Sequence, residues 1–265
     1  MTRSLALTDT ATWWPSVLWQ TTTLSVDRDG TRLLVDPGIA PWEAREAAGD
    51  GAGHILITHA DWDHVMGIGL LPDASVWASE PSAERIRSGE AKASVERETR
   101  PFGVPYEALD RLRVDEIVLL DGSPFAIGPW RAECHHVPGH TPDGIATWLP
   151  DEGLLVVGDH LSEQEIPFVY DSIWRYRSTL TVLSDLIART QPAHVVVGHG
   201  RPNSAQRALE IAAEDIDYID RLIAFVEGGG MPHGAERVPF PDRGGNDDPA
   251  EHRGNIERAC ALRDA

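Results

Sequence analysis

The run Thr58-His59-Ala60-Asp61-Trp62-Asp63-His64 places four potential metal ligands in one short loop. Imidazole nitrogen beside carboxylate oxygen suits zinc, iron or manganese. Three further candidates each sit just past an apolar run. His140 lies in Val137-Pro138-Gly139-His140-Thr141-Pro142-Asp143-Gly144, Asp159 follows Leu154-Leu155-Val156-Val157-Gly158, and His199 follows Val195-Val196-Val197-Gly198. Each follows a glycine, which lets the backbone turn sharply and approach an ion closely. A metal with an open position lowers the pKa of its bound water toward about 7. The chemistry within reach is therefore hydrolysis at neutral pH without a strong side-chain base.

Such ligands need rigid elements to aim them, and strand ends serve well. Ile55-Leu56-Ile57, bounded by Gly53, reads as a buried strand over 54–58 feeding the ligand loop. Upstream, residues 24–36 read as a hairpin turning at Asp29-Gly30 and ended by Asp36-Pro37-Gly38. The pattern predicts helices at 42–48 and 81–97, a strand at 76–78, a helix or turn opened by Gly67 and Gly69, and a flap at 99–110. Further strands are expected near 114–120, 124–127, 130–137, 144–149, 153–158 and 193–198. Helices are expected over 171–190, 203–227 and 249–264, with an irregular stretch at 231–248. Hairpin-rich strands interleaved with helices fit two packed sheets with helices outside, in a single domain over 1–265.

The bulk composition narrows the function. The 265 residues, 42% hydrophobic, suffice for one large core. Only Cys134 and Cys260 are present, and they read as reduced thiols. The N-terminal residues lack the apolar core of a secretory signal, and no apolar run approaches the roughly 20 residues of a membrane span. A cytoplasmic protein without a membrane partner is expected. The formal charge of −19 repels polyanions, so nucleic acid is not expected as a partner. There is no Gly-x-Ser-x-Gly elbow, no phosphate loop and no dinucleotide fingerprint.

The ordered motifs resemble those of the metallo-β-lactamase-fold superfamily across most of the chain. That family's pattern is Thr-His-x-His-x-Asp-His, then Pro-Gly-His-Thr, Gly-Asp after a strand and Gly-His after the last strand. The matches are Thr58–His64, Pro138–Thr141, Gly158-Asp159 and Gly198-His199, and Asp36-Pro37-Gly38 resembles the family's early Asp-Pro-Gly. The resemblance implies an α+β fold, an αββα sandwich of two mixed β-sheets flanked by helices, with the metal site at one edge. It implies one ion at His59, Asp61 and His140, a second at Asp63, His64 and His199, and Asp159 bridging both. Asp63 and Asp159 are the implied catalytic carboxylates.

Asp61 is the departure, because the family usually has histidine there. A carboxylate hardens the site, so two divalent ions are expected, zinc foremost, with iron or manganese admitted. Flavodiiron members of the superfamily carry glutamate at this position. Three readings stay open: a direct ligand, a ligand through water, or a neighbour supporting a one-metal site.

The leading expectation is a hydrolase using metal-bound hydroxide on a small ester, lactone, thioester or related molecule. An iron-dependent redox enzyme and a non-catalytic metal-binding protein are the alternatives. Trp62, His160, Phe168, Tyr170, Trp174 and Arg175 are candidate substrate contacts, weighed against ordinary aromatic packing. His54 and His194 read as structural and His233 as solvated. Of His135 and His136 one is expected to point inward, and His252 is a further candidate to face the site.

Overall fold

A computed structural model describes residues 4–38, 40–102, 109–243 and 248–263. In its first part the elements run β1 (Leu5–Ala6), β2 (Ala11–Pro15), β3 (Thr22–Arg28), β4 (Thr31–Val35), α1 (Pro41–Ala48), β5 (His54–Leu56), α2 (Trp62–Val65), β6 (Ser75–Ala78), α3 (Glu80–Arg87), α4 (Glu90–Thr99) and β7 (Glu116–Ile117). The second part runs β8 (Phe125–Ile127), β9 (Trp130–His136), β10 (Ile145–Leu149), β11 (Leu154–Val156), α5 (Ile173–Thr190), β12 (His194–Val196), α6 (Ala205–Glu227) and α7 (Asp248–Arg263).

Among the described residues the strands form two mixed sheets flanked by helices. Strands β1 to β7 lie side by side in chain order. They pair antiparallel up to β4 and parallel from β4 to β7. The second sheet has the order β12-β11-β10-β9-β8, with β11 and β12 its parallel pair.

The layers follow from side-chain alternation along strands buried on both faces. Leu33, Val35, Leu56, Leu154, Val156 and Val196 meet between the sheets. Their neighbours Leu34 and Ile55 turn outward against Ala47, Ile86 and Val95 of α1, α3 and α4. Leu155 and Val195 turn outward against Leu180, Leu183, Ile211 and Ile219 of α5 and α6. The result is helix, sheet, sheet, helix, the sandwich that the resemblance implies. No described helix is long and apolar enough to cross a membrane.

Several expectations need correction. The helix expected over 81–97 is two helices, broken where Gly89 takes a left-handed conformation at φ 84°. Strands β1 and β2 precede the first element expected from the sequence. The strand expected over 114–120 pairs only at Glu116–Ile117. A 3-10 turn, Pro232–Arg237, interrupts the irregular stretch. Most of the expected flap, residues 103–108, lies outside the described residues. Cys134 and Cys260 are buried and unpaired with each other.

Candidate metal centre

The structure brings His59, Asp61, Asp63, His64, His140, Asp159 and His199 together at the ends of β5, β9, β11 and β12. Three overlapping groups each have donor atoms within 4.8 Å of one another: His59, Asp61 and His140; Asp63, His64 and His199; His59, His64 and Asp159. Asp159 sits in the middle. Its Oδ2 lies 3.6 Å from His59 Nε2 and 3.2 Å from both His140 and His199 Nε2, while Oδ1 lies 3.2 Å from His64 Nε2. Asp63 Oδ2 is 3.3 Å from His199 Nε2, and Asp61 Oδ2 is 3.5 Å from His140 Nε2. Ligands bonded at about 2.0–2.2 Å to a tetrahedral ion stand about 3.3–3.6 Å apart, so these spacings fit ion coordination.

The histidines are oriented by their other nitrogens. His64 Nδ1 donates to Asp36 Oδ2 at 2.9 Å, His140 Nδ1 to the Phe168 carbonyl at 2.7 Å, and His199 Nδ1 to the Trp19 carbonyl at 3.1 Å. The Thr58 hydroxyl donates to Asp36 Oδ2 at 2.6 Å, so His59 Nδ1, 3.0 Å from Thr58 Oγ1, is the donor in that pair. Each ring therefore directs its Nε2 toward the centre, an arrangement typical of metal-binding histidines. The Nε2 atoms of His59, His64 and His140 and the Oδ1 of Asp159 are buried without a hydrogen-bond partner. Buried polar atoms are seldom left so, and this donor set fits divalent ions.

Glycine makes the approach feasible. Gly139 has φ 124°, and a Cβ there would strike the Tyr176 backbone. At Gly198 a Cβ would fall inside the Asp159 carboxylate.

Charge follows the same geometry. Burial disfavours the charged His140 ring, but Asp159 and then Asp61 outweigh it and push its pKa up to about 10. His64 and His199 are raised against the same burial, Asp159 being the largest opposing influence for both. Burial would raise Asp159, yet His64, His199 and His59 hold it well below the usual carboxylate range.

Of the candidate substrate contacts, Trp62, Phe168 and Tyr170 line a cleft of about 840 Å³ that opens over the centre. Trp19 lines it too, edge-on to Trp62 with ring centroids 5.4 Å apart. Three others do not line it. His160 is buried behind His140, donating from Nδ1 to the Val157 carbonyl and packed on Tyr176, and burial drives its pKa down to about 3. Trp174 donates to Glu227, and Arg175 pairs with Asp171 at the surface. His252 does not face the site: it is buried between Tyr218, the Ala235 carbonyl and the Phe240 ring. His54 accepts from Trp77, and His194 donates to the Leu7 carbonyl. His136 donates to the Pro142 carbonyl and His135 packs on Gly122, neither at the centre.

Sequence reasoning missed Asp36 as more than a turn residue, and it missed Asp143 and Arg85 altogether. Asp36 also accepts the Thr58 N–H at 2.8 Å. Asp143, fully buried, accepts from Ala60 N at 2.7 Å, inside the ligand loop, and from Arg85 at 2.7 Å. Arg85 also donates to Asp61 Oδ1 at 2.8 Å. Asp143 was visible just beyond the Pro-Gly-His-Thr motif, whereas nothing near Arg85 in sequence points to the site.

A family model described as the metallo-beta-lactamase superfamily matches residues 17–219. The chain belongs to that superfamily. A metallo-beta-lactamase family protein from Thermus thermophilus is similar in structure, with a TM-score of 0.62, 25% identity and 93% of each chain covered. The metallo-beta-lactamase from Pontibacter korlensis, at 16% identity, shares the fold with a TM-score of 0.59 over 80% of this chain and 99% of its own. A hydroxyacylglutathione hydrolase from Methylococcus capsulatus (strain Bath) is 32% identical over 136 residues, 50% of this chain. The match spans 43% of that protein's length.

The oriented imidazoles lead to two testable outcomes. Asp36→Ala frees the His64 ring and is expected to weaken zinc binding by about 10–100-fold, read by chelator competition. Below about pH 10 the metal-free His140 ring carries a second proton, on Nε2, which an ion must displace. Zinc uptake at pH 7 should therefore release protons, and affinity should rise with pH up to that point. Calorimetry in buffers of differing ionisation enthalpy checks this, and pH-independent affinity would contradict it.

Proposed function

We propose that this chain hydrolyses small esters, lactones or thioesters without a negative charge near the scissile bond. It would use two divalent ions, one held by His59, Asp61 and His140 and the other by Asp63, His64 and His199, with Asp159 facing both. The observation that carries this reading is the set of buried imidazole nitrogens without hydrogen bonds around Asp159. Zinc suits four imidazoles, and the three carboxylates admit iron or manganese. Bound ions of this kind supply water of lowered pKa and polarise a carbonyl oxygen.

The chain's own residues do the rest. Asp63 lines the cleft and takes a hydrogen bond from the Thr21 hydroxyl at 3.3 Å. Burial would raise its pKa, but His64 and His199 hold it down, so it is an ionised carboxylate able to accept a hydrogen bond from a water molecule and orient it. Tyr170 keeps its phenolic proton, because burial, then Glu251, pushes its pKa up. It is a donor for a substrate oxygen. Trp19, Trp62 and Phe168 offer apolar walls for an acyl chain or ring.

Wall charge supports the choice of substrate. Glu98, Glu165, Asp248 and Glu251 line the cleft beside the centre, Glu98 and Glu251 being paired with Arg97 and Arg258 at 2.7 and 3.0 Å. Its only described lining arginine, Arg243, donates to the carbonyls of Ser162 and Glu165 and to Glu214 and Asp215. Similarity to a hydroxyacylglutathione hydrolase supports including thioesters, while the acidic walls favour neutral ones.

Asp159→Ala is expected to lower metal content and cut turnover by at least about 100-fold. Undiminished metal content and turnover would remove it from the centre. Matched ester, lactone and thioester substrates with and without a carboxylate near the scissile bond test the charge reading. The neutral member should have a KM lower by about tenfold or more, with the gap narrowing as salt rises. Equal KM values at low salt would refute the wall-charge argument. No hydrolysis by metal-loaded protein, with oxygen consumed instead, would favour the iron-dependent redox alternative.

A further inference from the structure

Arg85 lies on α3, with Ser82 three and Ser79 six residues before it. All three reach Asp143. Ser79 Oγ donates to the Asp143 carbonyl at 3.0 Å, Ser82 Oγ to Oδ2 at 2.8 Å and Arg85 Nη1 to Oδ1 at 2.7 Å. Asp143 Oδ2 also accepts the Ala60 N–H, so one polar helix face is pinned to the ligand loop between His59 and Asp61. The remaining donors of Arg85 go to Asp61 Oδ1 and Glu90 Oε1, both at 2.8 Å. Only 14% of the Arg85 side chain is exposed, which places the Asp61 ion pair where solvent screens it poorly.

The two oxygens of Asp61 thus have separate partners. Oδ1 belongs to Arg85, while Oδ2 faces His59 and His140 at 3.7 and 3.5 Å. A carboxylate left alone can rotate or bind an ion through both oxygens; one held by a planar guanidinium has lost both options.

We propose that Asp61 and Arg85 act as one unit in place of the histidine usual at this position, Arg85 fixing Asp61 as a single-oxygen ligand and offsetting its charge. The unit presents one donor atom, as an imidazole does, and its charge is offset in part by a guanidinium that also serves Asp143 and Glu90. Arg85 is a positioning residue here. The inference rests on the reading above that Asp61 is a ligand, and it adds that the aspartate serves only with its arginine.

A double-mutant cycle on the full chain separates this from a merely structural role for Arg85. The probe is zinc itself: ions retained per chain after dialysis, and affinity of the weaker-held ion by chelator competition. Arg85→Met in the native background should weaken that ion by about 10–100-fold. In the Asp61→His background, where the ligand no longer needs the guanidinium, the same substitution should change affinity less than about threefold. Asp143 loses its partner equally in both backgrounds, so that loss cancels in the comparison. Equal losses in both backgrounds would overturn the proposal and leave Arg85 as a strut for Asp143; no loss in the native background would overturn it too. If Asp61→Ala retains both ions, the ligand reading itself fails. If Asp61→Ala loses one ion while the cycle shows no coupling, only the inference fails. Should Arg85→Met not fold, Arg85→Gln, which keeps a donor but removes the charge, carries the same cycle with the same expected contrast.

Discussion

Four imidazoles and three carboxylates share one pocket at the sheet ends, and the surrounding structure is organised around keeping them there. Burying so many ionisable groups is costly unless charges are matched and polar atoms satisfied. Asp159 supplies the match, standing within 3.2–3.6 Å of all four Nε2 atoms. The Nδ1 partners supply the orientation. Asp36, Thr58 and the carbonyls of Phe168 and Trp19 each fix one ring. These partners come from loops far apart in sequence, so the centre depends on the sandwich being closed.

The sandwich provides that closure through apolar side chains on both faces of its short central strands. β5, β11 and β12 are each three residues long, and each ends shortly before a ligand or its glycine. Strands this short and buried on both sides leave little room for a register shift, because a slip would carry the polar loop residues at their ends into the packed layers. That lock holds ligand loops from both sheets to a common point. The two sheets also touch directly at the site, where Thr22 N donates to the Gly198 carbonyl at 2.7 Å and Ile145 N to the Thr58 carbonyl at 2.9 Å.

Around this centre the polarity is uneven. On the α3 side the buried Asp143 and Asp61 share one guanidinium. On the cleft side carboxylates line the wall without a described arginine left over for a substrate, since Arg243 is committed to four internal acceptors. Burial pushes the Glu165 carboxyl up to about 7, so part of that wall charge is itself sensitive to pH near neutrality. The aromatic rings of Trp19, Trp62, Phe168 and Tyr170 complete a surface suited to a flat or apolar group.

The motifs that carry the candidate ligands were legible in sequence because each is a local signal, a strand end with a donor just beyond it. The hairpin at Asp29-Gly30 and the long helices α5 and α6 were legible for the same reason: turn chemistry and apolar period are written in neighbouring residues. Trp174, Arg175, His160 and His252 show where that logic stops. Each has a side chain suited to a site, but strand and helix direction turned it toward another partner, Glu227, Asp171, Val157 and Tyr218 respectively. The break at Gly89 escaped because helix propensity runs through both flanking segments. The pairings of Asp36 with His64 and of Arg85 with Asp61 span 28 and 24 residues. Sequence determined which donors exist and in what order. Tertiary structure alone decided their partners, because a side-chain hydrogen bond depends on distance and direction in space, and neither is encoded by spacing along the chain.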